Sequence, residues 1–314
     1  MRGIWAAAAS AGVMLAAVLA PPGLAGLRIG WALPLTVVVA LWGWPAGVAA
    51  AGAWLGLLGS VQGLEQAFLG LLGPAMAGLA YGSGLRAQKG AGVTLLIGGT
   101  ALAAGLLPCL PSLALAWAQW KAALARGVES ALELYRETGL LEAMVAQGLS
   151  AVQLQQSLES LASWVGVLYP ALLAWETTAG AVVVYFAGRW AVKRWRTVPS
   201  LPPFSHWQLP WPAVWGLIFG LAAYLAGDRA GSAAAVTVGV NVMAAYVPVL
   251  ALFGLAVLIH LYRHMLLPPA IKALVILPLV LYLPLGVAVL VALGLFDPWL
   301  NFRRLAPEGP KGGG

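Results

Sequence analysis

Of the 314 residues, 61% are hydrophobic and 9% charged, against about 25% charged in an ordinary soluble domain, so water is not the main solvent of this chain. The net charge of +7 does not indicate a nucleic-acid partner, because the basic residues sit in short clusters at the ends of apolar stretches and not along one polar face. No charge falls between positions 91 and 120, 230 and 259, or 273 and 296. The expected fold is all-α, a polytopic transmembrane helix bundle of about eight spans at roughly 20 apolar residues each. The lipid bilayer is its first partner, and a bacterial cytoplasmic membrane its expected location.

In chain order, Arg2 followed by an apolar run over 4–20 has the outline of a signal peptide. Cleavage after Ala20 would leave Pro21 just past the cut, and the run reads as a first membrane helix. Further spans are expected near 30–43, 45–61, 64–84 and 91–118. The second and third are short, and Trp42, Gly43, Trp44 and Pro45 form a turn-prone junction between them, as in a broken helix or re-entrant hairpin. Residues 1–120 are thus N-terminal spans. Cys109, the single cysteine, lies between Pro108 and Leu110 and reads as a small buried hydrophobe.

Residues 121–162 differ. They hold five of the ten acidic residues, namely Glu129, Glu133, Glu137, Glu142 and Glu159. Leu124, Val128, Leu132 and Tyr135 recur at helical spacing, Gly139 interrupts, and Leu141, Val145, Leu149 and Val152 resume. This predicts an insertion of two amphipathic helices, on the membrane surface or capping the bundle.

C-terminal spans over 163–305 are expected near 164–188, 211–227, 232–260 and 271–295, with a flexible tail at 306–314. The clusters Arg86 and Lys89, then Arg189, Lys193, Arg194 and Arg196, read as cytoplasmic. Nine crossings would place Arg303, Arg304 and Lys311 outside, against the charge rule. The preferred repair is a last segment that bends back at Pro278 and Pro284 without crossing, which leaves eight crossings and both ends inside. Glycine pairs Gly52 and Gly56, and Gly216 and Gly220, are read as sites of close intramolecular helix packing.

Two polar segments stand out in this apolar chain: LPPFSHWQLP, Leu201 to Pro210, and GLFDPWLNFRRL, Gly294 to Leu305. Together with the helix preceding the first, from Tyr169 to Arg194, they resemble signatures of the YybS family of bacterial polytopic membrane proteins. That resemblance implies a distant similarity to substrate-binding membrane subunits of energy-coupling-factor transporters and to the rod-shape protein MreD, a fold-level analogy. On their own residues, Pro202, Pro203 and Pro210 stiffen the loop, while Leu201, Phe204, Trp207 and Leu209 are anchoring and interface candidates. In the second segment, Phe296, Trp299, Phe302 and Arg303 form a candidate partner surface. Asp297, placed just past the last helix, is expected to bond nearby amides or pair with Arg303 or Arg304, with a catalytic acid as the alternative.

Glu176 is the acidic residue well inside an expected span. A carboxylate there should face the bundle interior, as a functional site or as a protonated interhelical hydrogen bonder. Tyr169 and Thr177 could line the same cavity, and Asn241 and Tyr246 are further ligand candidates. His260 and His264 share a helix face, but with His206 as the chain's other histidine they read as a basic helix end and not a metal site. There is no Walker loop, no GxSxG elbow and no close acid pair, which weighs against an enzyme; no cofactor is implied. Two functions follow: a small-molecule binding or transport-related component, whose first helix with Ala7 and Ala11 could dock a coupling subunit, or a scaffold that recruits proteins through the two polar segments.

Overall fold

The structure is a computed structural model that describes residues 29–304 apart from positions 147, 149 and 267. The expected first helix over 4–20 and the tail over 306–314 lie outside the described residues. Twelve α-helices and no strand occur among them. Among the described residues, six helical stretches are long and apolar enough to cross a membrane, and Ile29–Trp42 and Ala270–Leu281 are shorter apolar helices. The all-α polytopic bundle read from composition is therefore the fold. The chain divides into two compact units, Met1–Gly166 with Leu173–Leu201, and Val167–Leu172 with Pro202–Gly314.

In the first unit, α1 (Ala32–Trp42), α2 (Trp44–Gln62), α3 (Leu64–Arg86) and α4 (Ala91–Leu106) form the bundle. One residue separates α1 from α2 and one separates α2 from α3. Both are glycines at φ 91°, a conformation that costs other residues a Cβ clash. The junction at Gly43 is a true reversal, since Gly47 lies against Val39 and Trp31, Leu35, Trp54 and Leu58 share one cluster. Residues 30–61 are thus a tight hairpin of two helices.

Helices α1 and α3 run in the same direction, with the backbone of Ala32 beside Gly78 and that of Thr36 beside Gly82. Helix α4 returns antiparallel, placing Gly98 against the Tyr81 ring and Gly105 against Gly73. Without a hydrophobic force between helices in lipid, such backbone approach is what holds them. At the end where α1 finishes, Arg86 Nη1 donates to Leu41 O at 3.1 Å and Arg196 Nη1 donates to Ala40 O at 2.7 Å. The two basic clusters therefore cap neighbouring carbonyls, those of Leu41 and Ala40, at the end of the same helix and share one end of the unit.

The expected span over 91–118 is broken. Leu107–Cys109 forms a 3-10 turn, and α5 (Leu110–Glu137) then runs without interruption through residues assigned above to separate elements. Pro108 and Pro111 supply the break, because neither can donate a helical backbone bond. After Gly139 at φ 68° come α6 (Leu140–Ala146) and α7 (Ala151–Val167). Trp117 Nε1 donates to Gly166 O at 2.7 Å, with Gly166 also beside Lys121 and Leu124. Half-buried positions recur at 124, 128, 131 and 135 on α5 and at 154, 158 and 162 on α7, the seam of an antiparallel hairpin. An amphipathic pair is present as α5, which starts at Leu110, and α7, whereas the second helix expected through Leu141, Val145, Leu149 and Val152 is divided between α6 and α7.

Helix α8 (Tyr169–Val192) contributes its first residues to the second unit and the rest to the first. In the second unit, α9 (Val214–Ala230) and α10 (Ala233–His264) form an antiparallel pair. Gly216 lies against Tyr246, Gly220 against Val242 and Gly227 against the Val236 backbone. The pair Gly216 and Gly220 thus packs intramolecularly, whereas Cβ atoms on Gly52 and Gly56 would meet nothing within 4 Å.

The last apolar segment is two helices, α11 (Pro269–Leu281) and α12 (Leu283–Leu300), broken at Tyr282 between Pro278 and Pro284. Helix α12 crosses α10 with Gly294 on the Leu250 carbonyl and Gly254 on the Leu290 carbonyl. Beyond this crossing, both helices end beside the loop Pro202–Pro210, through contacts of His260 and Arg303 described below. Helices α10 and α12 consequently point the same way, and α11 makes the return. With 13 residues at about 1.5 Å each it covers about 20 Å, short of a roughly 30 Å hydrocarbon core.

Candidate functional site

The end of the second unit brings the two polar segments together. Pro202, Pro203 and Pro210 hold the backbone extended on both sides of a 3-10 turn, Phe204–His206, and Pro212 lies in a second 3-10 turn, Trp211–Ala213. Trp207 Nε1 donates to Pro202 O at 3.2 Å, and its ring meets Phe204 edge-on at 5.2 Å. Leu209 is buried with Val214 and Leu250, which seats the loop on α10. Pro202, Pro203 and Pro210 remain exposed, while Leu201, Phe204 and Trp207 are half-buried.

Helix α12 continues through Pro298 to Leu300, so Asp297 lies inside it and is buried at 6% exposure, not in an exposed turn beyond it. Asn301, in the left-handed region at φ 42°, closes the helix by donating its N–H to Asp297 O at 2.9 Å; asparagine tolerates that conformation better than most residues. The turn folds Arg303 back. Its Nη2 donates to Asp297 Oδ2 at 2.6 Å and its Nη1 donates to Ser205 O at 2.8 Å, with Arg303 at 5% exposure. Asp297 Oδ1 and Arg303 Nε have no hydrogen-bond partner among the described residues.

Beside this ion pair lie all three histidines of the chain. The His206 ring meets His260 edge-on at 5.8 Å, and His260 stacks on His264 at 4.2 Å. His264 Nδ1 is 2.8 Å from His260 O, and His206 Nδ1 is 3.3 Å from Ser205 Oγ. His260 is buried, with His206 and His264 exposed. Among the described residues, no three His, Cys, Asp or Glu side chains are placed to hold a metal ion. Around the cluster, Phe296, Trp299, Phe302, Trp211 and Trp215 are exposed.

The ligand candidates do not form a comparable constellation. Asn241 is buried, and its side chain is fully engaged: Oδ1 accepts from Ala171 N at 2.9 Å, and Nδ2 donates to Val167 O and Thr237 O, each at 2.9 Å. It joins α10 to the start of α8 within the second unit. Tyr246 is half-buried against Gly216, and Tyr169 and Thr177 are half-buried. Glu176 is exposed on α8 and does not point into the bundle interior as a membrane carboxylate was expected to.

Sequence reasoning identified Asp297, Arg303 and the loop but not their junction with the histidines. The signal in the sequence was partial: His206 lies within the loop, whereas His260 and His264 lie in neither polar segment. A family model described as a predicted membrane protein family (DUF2232) matches residues 8–298. The chain belongs to the DUF2232 family. No curated protein and no solved structure matches it. The DUF2232 match takes in the loop, the three histidines and Asp297, and Arg303 lies just beyond it.

Proposed function

We propose that this DUF2232 protein is a membrane-embedded docking component, which presents the loop Pro202–Pro210 and the turn after α12 as one preformed surface for a partner protein. The Arg303 bridge between Asp297 and Ser205 carries the reading. Burying an ion pair is costly, and its best-attested use is to fix one arrangement among several. A simple connector between two spans would not need its backbone held this way. Exposed Trp299, Phe302 and Phe296 beside the bridge supply rigid apolar anchors of the kind that dominate protein interfaces. Arg263, Lys272, Arg303 and Arg304 at this end favour the cytoplasmic side of a bacterial inner membrane. The YybS-like character of the two segments, with its distant analogy to MreD, fits such a role.

The test is purification in gentle detergent with identification of co-purifying proteins, for the wild type, Trp299→Ala and Arg303→Ala. A stoichiometric protein that is lost from both variants, while each still inserts into the membrane, is the expected result. A co-purifying metabolite with no protein partner would overturn it.

The second reading, a small-molecule binding or transport-related subunit, is favoured by Glu176, a carboxylate within an apolar helix with Thr177 beside it. Retention of a bound metabolite in wild type and its loss in Glu176→Gln would support that reading.

A further inference from the structure

We infer that the stacked histidines form a proton-operated latch on the loop Pro202–Pro210. It deepens the docking reading, on which only its consequence rests: acid would withdraw the docking surface. The loop carries His206, and α10 carries His260 and His264. The loop is seated by three contacts of different kinds: the Arg303 bond to Ser205 O, the burial of Leu209 on Leu250, and the edge of His206 against His260.

Charge decides which of these can be switched. The groups facing His260 are His264 from its own helix, His206 from the loop, and Asp297 and Arg303 from α12 and the turn after it. Asp297, the single carboxylate in that set, already faces the Arg303 guanidinium at 2.6 Å. Protons added to two neighbouring rings therefore have no anion to balance them, and Arg263, exposed on the same turn of α10, adds another cation. Neutral rings in contact, His206 with His260 at 5.8 Å and His260 with His264 at 4.2 Å, are favourable; a charged ring on the loop and a charged ring on the helix repel. Of the three rings, His206 sits on an exposed loop and the other two on a helix, so separation takes place at the loop. The latch is closed while the rings are neutral and opens as acidification adds protons to them.

The motion is read without a partner, so its failure is distinct from failure of the docking role. In a Cys109→Ser background, full-length protein in phosphatidylcholine nanodiscs carries Leu209→Cys as reporter or the exposed Gln208→Cys as reference. The rate of labelling by a methanethiosulfonate reagent is compared between about pH 7.5 and about pH 5.5, on either side of the imidazole range. The reporter-to-reference ratio is expected to rise on acidification, by up to about tenfold per pH unit for each proton taken up. The rise should shrink in His264→Gln, whose exposed position makes it tolerant of substitution, and in His260→Gln. A ratio that stays flat in the parent protein, or a rise undiminished in His264→Gln, overturns the latch.

Discussion

Arg303 reaches back six residues to Asp297 and across to the carbonyl of Ser205, 98 positions earlier in the chain, at 2.6 and 2.8 Å. One guanidinium thereby joins the end of α12 to the loop that precedes α9. Both side chains are removed from solvent, so each depends on the other for compensation of its charge.

Removing one partner should therefore be much worse than removing both. Asp297→Leu or Arg303→Met alone leaves an uncompensated buried charge, which typically costs about 3–5 kcal/mol. The double replacement Asp297→Leu with Arg303→Met should cost clearly less than the sum of the single changes. Thermal unfolding of the four proteins in one detergent gives the cycle.

The crossing of α10 and α12 makes a second prediction. A Cβ at Gly254 or Gly294 would run into the carbonyl of Leu290 or Leu250, so Gly254→Ala and Gly294→Ala should destabilise by about 1–3 kcal/mol or more through overpacking. Gly52→Ala and Gly56→Ala, with nothing within 4 Å, should be neutral or favourable by up to about 1 kcal/mol from helix propensity. Melting temperatures of the four variants separate these cases.

Asn241 bonds three backbone groups with one side chain. Asn241→Ala leaves buried polar groups of Val167 and Ala171 without that partner, a loss of about 1–3 kcal/mol. Asn241→Asp should be no better, since a carboxylate cannot donate to Val167 O and Thr237 O. The comparison is again by unfolding, with Thr177→Ala, which removes none of these bonds, as reference.

Arg196 and Arg86 test whether the basic clusters act by charge alone. Arg196→Lys keeps the charge that orients the chain and loses the Nη1 geometry at Ala40 O. Its orientation, read by terminal reporter fusions, should match the wild type while its melting temperature falls; Arg196→Gln with Arg86→Gln should disturb both.

Much of this architecture is legible in the sequence because glycine and proline act locally. Gly43, Gly63 and Gly139 mark reversals by needing positive φ, and Pro278 and Pro284 bracket the break at Tyr282. The span expected over 91–118 ends at Cys109; charge-free length sees no difference between a straight helix and one interrupted at Pro108. Glu176 shows the converse: the cost of a carboxylate in lipid says that it needs an arrangement, but not which side of its helix faces the bundle. From the sequence, Asp297 could be expected to pair with Arg303 or Arg304, without a choice between them and with the aspartate placed past the helix instead of inside it. That Arg303 also holds Ser205, and that His206 lands on His260, depends on the helix crossing at Gly254 and Gly294, to which no local pattern points.

The account stands on the loop Pro202–Pro210 and the turn after α12 sharing one side of the membrane. The most direct measurement labels Gln208→Cys and Phe302→Cys, each in a Cys109→Ser background, with a membrane-impermeant thiol reagent on intact cells and on inverted vesicles. Both positions should be protected in cells and labelled in inverted vesicles. Labelling of Phe302→Cys from the face opposite to Gln208→Cys would contradict the Arg303 bridge and the docking surface built on it.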